Sequence, residues 1–259
     1  MFAQPTVIAI VVWALVFGAG LAGMWIGSRL PPAHRTSESQ NVVTISMAMV
    51  STLTALALGL LLSVANTSFT TNQQQLMSTS SDLIRLEHLF RFYGSEADAA
   101  RESLKGYAHS MMQDLFPPTG EQRNVEDEST LNYIANAENT AALLVPATAM
   151  QRWLQPRMLE VSDKIVQEHY ALVKQRLDVI PTAVMLLLLL WLVLLFMGYG
   201  LYAPRHMTSV IVLLLASGAA SAAILLIIEL ETPNRGFVSL SPEPLQHAID
   251  VMERHANAG

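Results

Sequence analysis

Cysteine is absent from this chain of 259 residues, which excludes disulfide frameworks, thiolate-held zinc or iron–sulfur centres and thiol catalysis. Charge is scarce as well, at 14% of residues against about 25% in ordinary soluble domains. The net charge of −6 and the lack of a basic run argue against a nucleic-acid partner, because nothing here would release counterions from phosphates. No HExxH, GxSxG, Walker or GxGxxG pattern stands where it could be used. Glu243, His247 and Asp250 share a helical face at metal-ligand spacing, yet any surface amphipathic helix supplies that spacing. The neighbours Glu87-His88 and Glu168-His169 point apart on a helix and make poor acid–base partners. The chain reads as a non-enzyme with no catalytic residue, cofactor or metal site.

What it has in quantity is apolar sequence, 52% of residues with a mean hydropathy of +0.37, gathered into blocks. Pro181 to Pro233 is a hydrophobic hairpin that turns at Ala203-Pro204-Arg205-His206. Each arm holds roughly 20 apolar residues, which at ~1.5 Å per residue crosses a ~30 Å hydrocarbon core. The run from Pro5 to Gly27 lacks a basic leader and exceeds the ~7–15 residues of a signal-peptide core, so it reads as a first span. Its Ala19, Gly23 and Gly27 form a small-xxx-small stripe that lets another helix approach closely. Val42 to Ala65 is the second span. The expected fold is an all-α integral membrane protein with four spans at about 5–27, 42–65, 181–202 and 208–230.

The second span differs from the hairpin arms. At about 100° per residue, Thr44, Ala48, Ser51, Ala55, Gly59 and Asn66 fall within an arc of roughly 80°, flanked by Thr52 and Ser63. One face is small and polar, the other Leu, Val and Met. Such a face either packs against a helix through Ser/Thr hydrogen bonds or lines a water-filled pore. Ser63, Asn66, Thr67 and Ser68 extend it toward the end of the span. In the fourth span, Ala216 to Ala223 is small on every side, which suggests close neighbours or a cavity, with Gly218 the one point where a break is conceivable. Glu229 and Glu231 close that span, as capped ends or as an ion-facing ring at the mouth of an oligomer.

Between the second and third spans, residues 70–180 read as a helical soluble domain without strand-like alternation. Leu76, Leu83, Leu86, Phe90 and Tyr93 continue the second helix at a coiled-coil-like spacing up to Gly94. Ser95-Glu96-Ala97-Asp98 resembles a capping box, and Ala97, Leu104, Ala108, Met111 and Leu115 line the next helix up to Pro117-Pro118. An acidic loop from Thr119 to Thr130, a helix from about Leu131 to Val145 and a longer one from Met150 to Ile180 follow, the last meeting a possible kink at Pro181. A tail over 232–259 resumes at Ser241-Pro242-Glu243 as a short amphipathic helix with Leu245, Ile249 and Met252 on one face. The short loops hold Arg29, Arg35 and Arg205; the opposite side offers Arg85, Lys164, Lys174, Arg176 and Arg235, which places the soluble domain in the cytoplasm.

Several stretches together resemble one bacterial family. Gly59-Leu60-Leu61-Leu62-Ser63-Val64-Ala65-Asn66-Thr67-Ser68-Phe69 with Gln73 is similar to its second-span exit. Asp82 to Glu87 and Phe92-Tyr93-Gly94-Ser95-Glu96-Ala97 to Ala100-Arg101 resemble its "LxRxxxxYGPEA…AR" segment, and Gly200-Leu201-Tyr202-Ala203-Pro204-Arg205 its "GLFAPRN" turn. Ile227 to Pro233 and Leu240 to Leu245 resemble its "LELDxPF" and "SxxPL" tail, with Glu231 where Asp is more usual and Thr232 and Asn234 beside the proline. The family is the domain of unknown function labelled bestrophin-like. The resemblance covers most of 53–252. It implies four spans, a cytosolic helical part and a ring-shaped oligomeric anion channel in the bacterial inner membrane. The acidic calcium clasp of animal bestrophins has no counterpart in this sequence, so the resemblance does not extend to calcium gating.

These readings converge on a homo-oligomeric ion channel in a lipid bilayer, with Thr44, Ser51, Ala55, Gly59, Ser63 and Asn66 lining the pore and Glu229 and Glu231 at its mouth. Four spans enclose too little space for a pore in one chain, hence the oligomer. The resemblance implies anions, whereas an acidic mouth favours cations. The rival reading is a non-conducting scaffold or sensor whose helical domain recruits a partner. It draws on the spacing from Leu76 to Tyr93 and requires a dry, packed polar face on the second helix. A transporter is disfavoured, because no inverted repeat is found.

Overall fold

A computed structural model describes residues 5–31, 36–117, 128–177, 181–231 and 239–256. The described residues form the helices α1 (Pro5–Arg29), α2 (Ser37–Tyr93), α3 (Asp98–Leu115), α4 (Glu128–Leu143), α5 (Ala149–Leu177), α6 (Thr182–Tyr202), α7 (Met207–Glu231) and α8 (Glu243–Ala256). Four of them, α1, α2, α6 and α7, are long and apolar enough to cross a membrane. The chain divides into a first unit of Met1–Phe69 with Val179–Val238 and a second of Thr70–Asp178 with Ser239–Gly259. The loop expected at Thr119 to Thr130 falls largely outside the described residues, as do Thr232, Asn234 and Arg235.

In the first unit α1 packs between α6 and α7. The small-xxx-small stripe performs the role its spacing suggests: a Cβ on Gly23 would overlap the Met197 carbonyl, and one on Gly27 the Leu201 carbonyl. Gly200 on α6 is equally committed, since a Cβ there would strike the Gly20 carbonyl. With no hydrophobic drive between helices in lipid, backbone proximity of this kind supplies the packing. The small segment of α7 seats α1: Ser221 donates to the Ala9 carbonyl at 2.6 Å, and Trp13 lies beside Gly218. α7 runs unbroken through Gly218, because an isolated glycine among alanines costs a helix only about 1 kcal/mol.

In the second unit Leu76, Leu83, Leu86, Phe90 and Tyr93 join Leu104, Tyr107, Met111, Met158, Ile165, Leu245 and Met252 in one core. The coiled-coil-like spacing is thus filled by the chain's own helices and is not a free face for a partner. The tail helix α8 belongs to this core, with Ser241 Oγ accepting from the Glu243 N–H at its start. Gly94 ends α2 at φ 122°, a value open to glycine.

The capping box is not where the sequence suggests. Ser95–Ala97 is a 3-10 turn, and no side chain caps α3. A reciprocal box forms instead at Thr148 and Gln151. The Gln151 N–H donates to Thr148 Oγ1 at 3.1 Å, and the Thr148 N–H donates to Gln151 Oε1 at 3.1 Å. Gln151 Nε2 also donates to the Tyr93 carbonyl, closing the end of α2. Pro181 does not kink a continuous helix: it stands just before α6 in an extended conformation, and its carbonyl accepts from the Val184 N–H.

Candidate functional site

The span of α2 has three sides. Val50, Thr54, Ala57, Leu58, Leu61 and Ala65 face its own unit, with Thr54 and Ala65 buried. About 100° round the helix from this packing side lies the small polar arc. Thr44, Ala55, Gly59, Ser63 and Asn66 are exposed there, and Ser51 is half-buried. The third side is large, apolar and exposed: Met49, Leu53, Leu56, Leu60 and Val64. In the most apolar window of α2 only 6% of residues are buried, against 28–33% in the other three spans.

Among the described residues the polar arc is therefore largely uncovered by the rest of this chain. A Cβ on Gly59 would meet nothing within 4 Å, in contrast with Gly23 and Gly27. The hydroxyls are partly satisfied by their own helix. Thr52 and Thr67 donate to the Ala48 and Ser63 carbonyls, each at 2.9 Å, and Thr54 to Val50 at 2.8 Å. Back-bonding lets threonine tolerate an apolar setting while an acceptor lone pair still points outward. The direction diametrically opposite Thr54 falls on Ser63 and close to Thr52, at the border between the polar and apolar sides. Sequence reasoning found the arc but could not see its offset, since the packing side is fixed by α6 and α7.

The two mouth candidates separate. Glu229 does not stand on an exposed rim: it is 3% exposed beside Ile227 and Leu230, residues that pack on Ala65, and its Oε1 has no hydrogen-bond partner among the described residues. Its register on α7 turns it inward among apolar neighbours. Glu231 is half-buried.

The second unit handles its polar groups differently. Glu168 on α5 accepts from Ser78 Oγ at 2.8 Å and Thr79 Oγ1 at 2.7 Å, both on α2, while Lys164 donates to Asp82. That hydrogen bond raises the Lys164 ammonium pKa. The fully buried Glu87 takes both Nε and Nη2 of Arg101 on one oxygen, at 3.1 and 2.7 Å, and this pairing raises the Arg101 pKa. Tyr107 pairs with His169 Nδ1 at 3.1 Å, and burial, followed by the charges of Glu168 and Asp114, pushes its phenol well above the ordinary range. Glu168 and His169 do point apart, each to its own partners. No group of metal-ligating side chains occurs among the described residues, Glu243, His247 and Asp250 included. These pairs join α2 to α3 and α5, and α3 to α5, within the second unit.

A comparison with curated proteins finds no match. Among solved structures the chain is similar to a mutant of a bacterial bestrophin homologue from Klebsiella pneumoniae, at TM-score 0.68 and 16% identity, covering 95% of this chain and 98% of that one. A second mutant of that homologue gives TM-score 0.66 at 17% identity over 98% and 97%, and a further structure of it 0.65 at 16% over 95% and 96%. At such identity the likeness carries the fold alone, along nearly the whole of both chains. The model of the Bestrophin-like domain matches residues 14–245, from within α1 to the start of α8. Spanning both units, that match shows that the chain belongs to the Bestrophin-like family.

Proposed function

We propose that this chain assembles with copies of itself around an axis along α2 to form an ion channel of the bacterial inner membrane, with the second unit on the cytoplasmic side. The carrying observation is the bareness of α2: of the four spans it is the one its own chain covers least, at 6% of its most apolar window. A helix that lines a symmetric pore turns its packing side outward and its opposite side to the lumen. In that arrangement Ser63, Thr52 and Gly59 face the axis, while Thr44, Ser51, Ala55 and Asn66 form the shoulder toward the next α2. Small residues on that shoulder allow neighbouring backbones to approach. Family membership supports the reading, since bestrophins are ion channels. The inward turn of Glu229 leaves Glu231 as the remaining acid of the candidate mouth, which weakens the electrostatic case for cations.

The test is current across a planar bilayer containing the purified protein under a salt gradient. Discrete currents are expected, and the sign of the reversal potential assigns anion or cation conduction. Silence across voltage and pH would favour the non-conducting scaffold, whose α2 would have to be covered in the assembly.

A further inference from the structure

The membrane unit is electrically lopsided. Its described arginines, Arg29 and Arg205, both stand at the end where α1 stops and α6 turns into α7, together with His206. The glutamates of α7, Glu229 and Glu231, stand at the other end of that helix. Among the described residues neither arginine has a carboxylate within ion-pair distance, and both are exposed. The one described acid near this end is Glu38, exposed in the first turn of α2.

The fold brings the two cations to the same end of the unit. Gly27 meets the Leu201 carbonyl in backbone contact, with Arg29 two residues beyond it on α1 and Arg205 four residues beyond Leu201. Arg205 sits in a tight turn where the His206 N–H donates to the Pro204 carbonyl at 2.9 Å. The Arg29 guanidinium lies over the Trp25 ring at 3.9 Å from its centroid. That stack fixes the plane of the guanidinium and leaves its N–H edges free for bidentate hydrogen bonds to an oxyanion. Trp25 on α1 and Tyr199 on α6 are both exposed, as aromatic side chains at headgroup depth are.

We propose that this end of the membrane unit is a binding site for the phosphate of anionic phospholipid headgroups, with Arg29, held on Trp25, and Arg205 as the two anion ligands. A zwitterionic headgroup carries its own ammonium beside the phosphate and profits less from two unpaired arginines. The bland alternative is that Arg29 only complements the C-terminal dipole of α1, and that Arg205, in the turn after α6, only complements that of α6. That role predicts no lipid preference.

The test uses the full-length protein in nanodiscs of phosphatidylglycerol and phosphatidylcholine in equal amounts, followed by extraction and quantification of the co-purifying lipid. The wild type is expected to retain phosphatidylglycerol several-fold over phosphatidylcholine, each arginine contributing a factor of roughly five. R29Q/R205Q is expected to retain the two equally while eluting as the wild type does on size exclusion. Trp25→Leu keeps both charges and should lose part of the preference. A wild type with no preference, or a double variant that keeps it, overturns the proposal. Millimolar inorganic phosphate should leave the preference intact; displacement of phosphatidylglycerol by phosphate would identify a free-anion site and overturn the lipid assignment.

Discussion

The membrane unit and the second unit bury their helices by opposite means. In the first, α1 and α6 meet backbone to backbone through Gly23, Gly27 and Gly200, and hydroxyls bond to carbonyls of their own or the next helix. In the second, large side chains fill a core, and several of the polar groups reaching it are paired: Glu87 with Arg101, Tyr107 with His169, Glu168 with Ser78 and Thr79. Burying large apolar side chains gains by removing their surface from water, whereas helices in lipid gain chiefly from close packing and internal hydrogen bonds. α2 passes through both regimes. It is built into the core of the second unit yet left bare in the first, and that contrast marks the bare portion as a surface for something other than its own chain.

The comparison can be broken most severely at the glycines. Gly23→Val or Gly27→Val is expected to abolish recovery of monodisperse protein in detergent, because the added atoms would occupy the space of a backbone carbonyl. Gly59→Ala should leave yield and melting temperature unchanged or slightly raised, given open space and better helix propensity. Equal behaviour of the two positions would remove the distinction between packed and bare small residues. Next in size is Glu87→Ala, which empties a fully buried position and leaves Arg101 with Asp98, at 3.0 Å, as its remaining carboxylate partner; a loss of about 1.5–3 kcal/mol in denaturant unfolding of the second unit is expected.

Gln151→Ala removes both the capping box and the bond to the Tyr93 carbonyl, and about 1–2 kcal/mol should be lost. Ser95→Ala, at the motif that caps nothing, should shift the same transition by less than about 0.5 kcal/mol. The smallest effect concerns pH. The folded chain holds the Tyr107 proton more tightly than the unfolded chain does, so this stabilisation is complete below the ordinary tyrosine pKa, about 10, and is lost as pH rises beyond it. Melting curves above that pH should decline less steeply for Tyr107→Phe, which also forfeits about 1 kcal/mol with the His169 hydrogen bond.

Much of this fold is legible in the residues. Hydropathy marks the helices α1, α6 and α7 to within a few residues, and the period of Leu76 to Tyr93 carries α2 beyond its apolar run. The stripe Ala19, Gly23 and Gly27 names its packing side in advance, because close approach leaves a compositional trace. The capping box was legible less well. Ser95-Glu96-Ala97-Asp98 and Thr148-Ala149-Met150-Gln151 fit the pattern comparably, and the one used is that whose glutamine also reaches Tyr93, a contact 58 residues distant. For the same reason the polar arc of α2 could be found but not aimed. Its offset from Thr54, like the inward turn of Glu229, depends on where α6 and α7 lie.

The central claim is that the bare side of α2 faces an ion pathway, and the absence of native cysteine makes it directly testable. Ser63→Cys and Gly59→Cys channels would be recorded in a planar bilayer before and after a charged, water-soluble thiol reagent, with Leu58→Cys on the packing side as reference. The account predicts that the reagent alters or blocks current through the first two and leaves the third untouched. Current unaffected at Ser63 and Gly59 in a conducting protein would show that ions pass elsewhere.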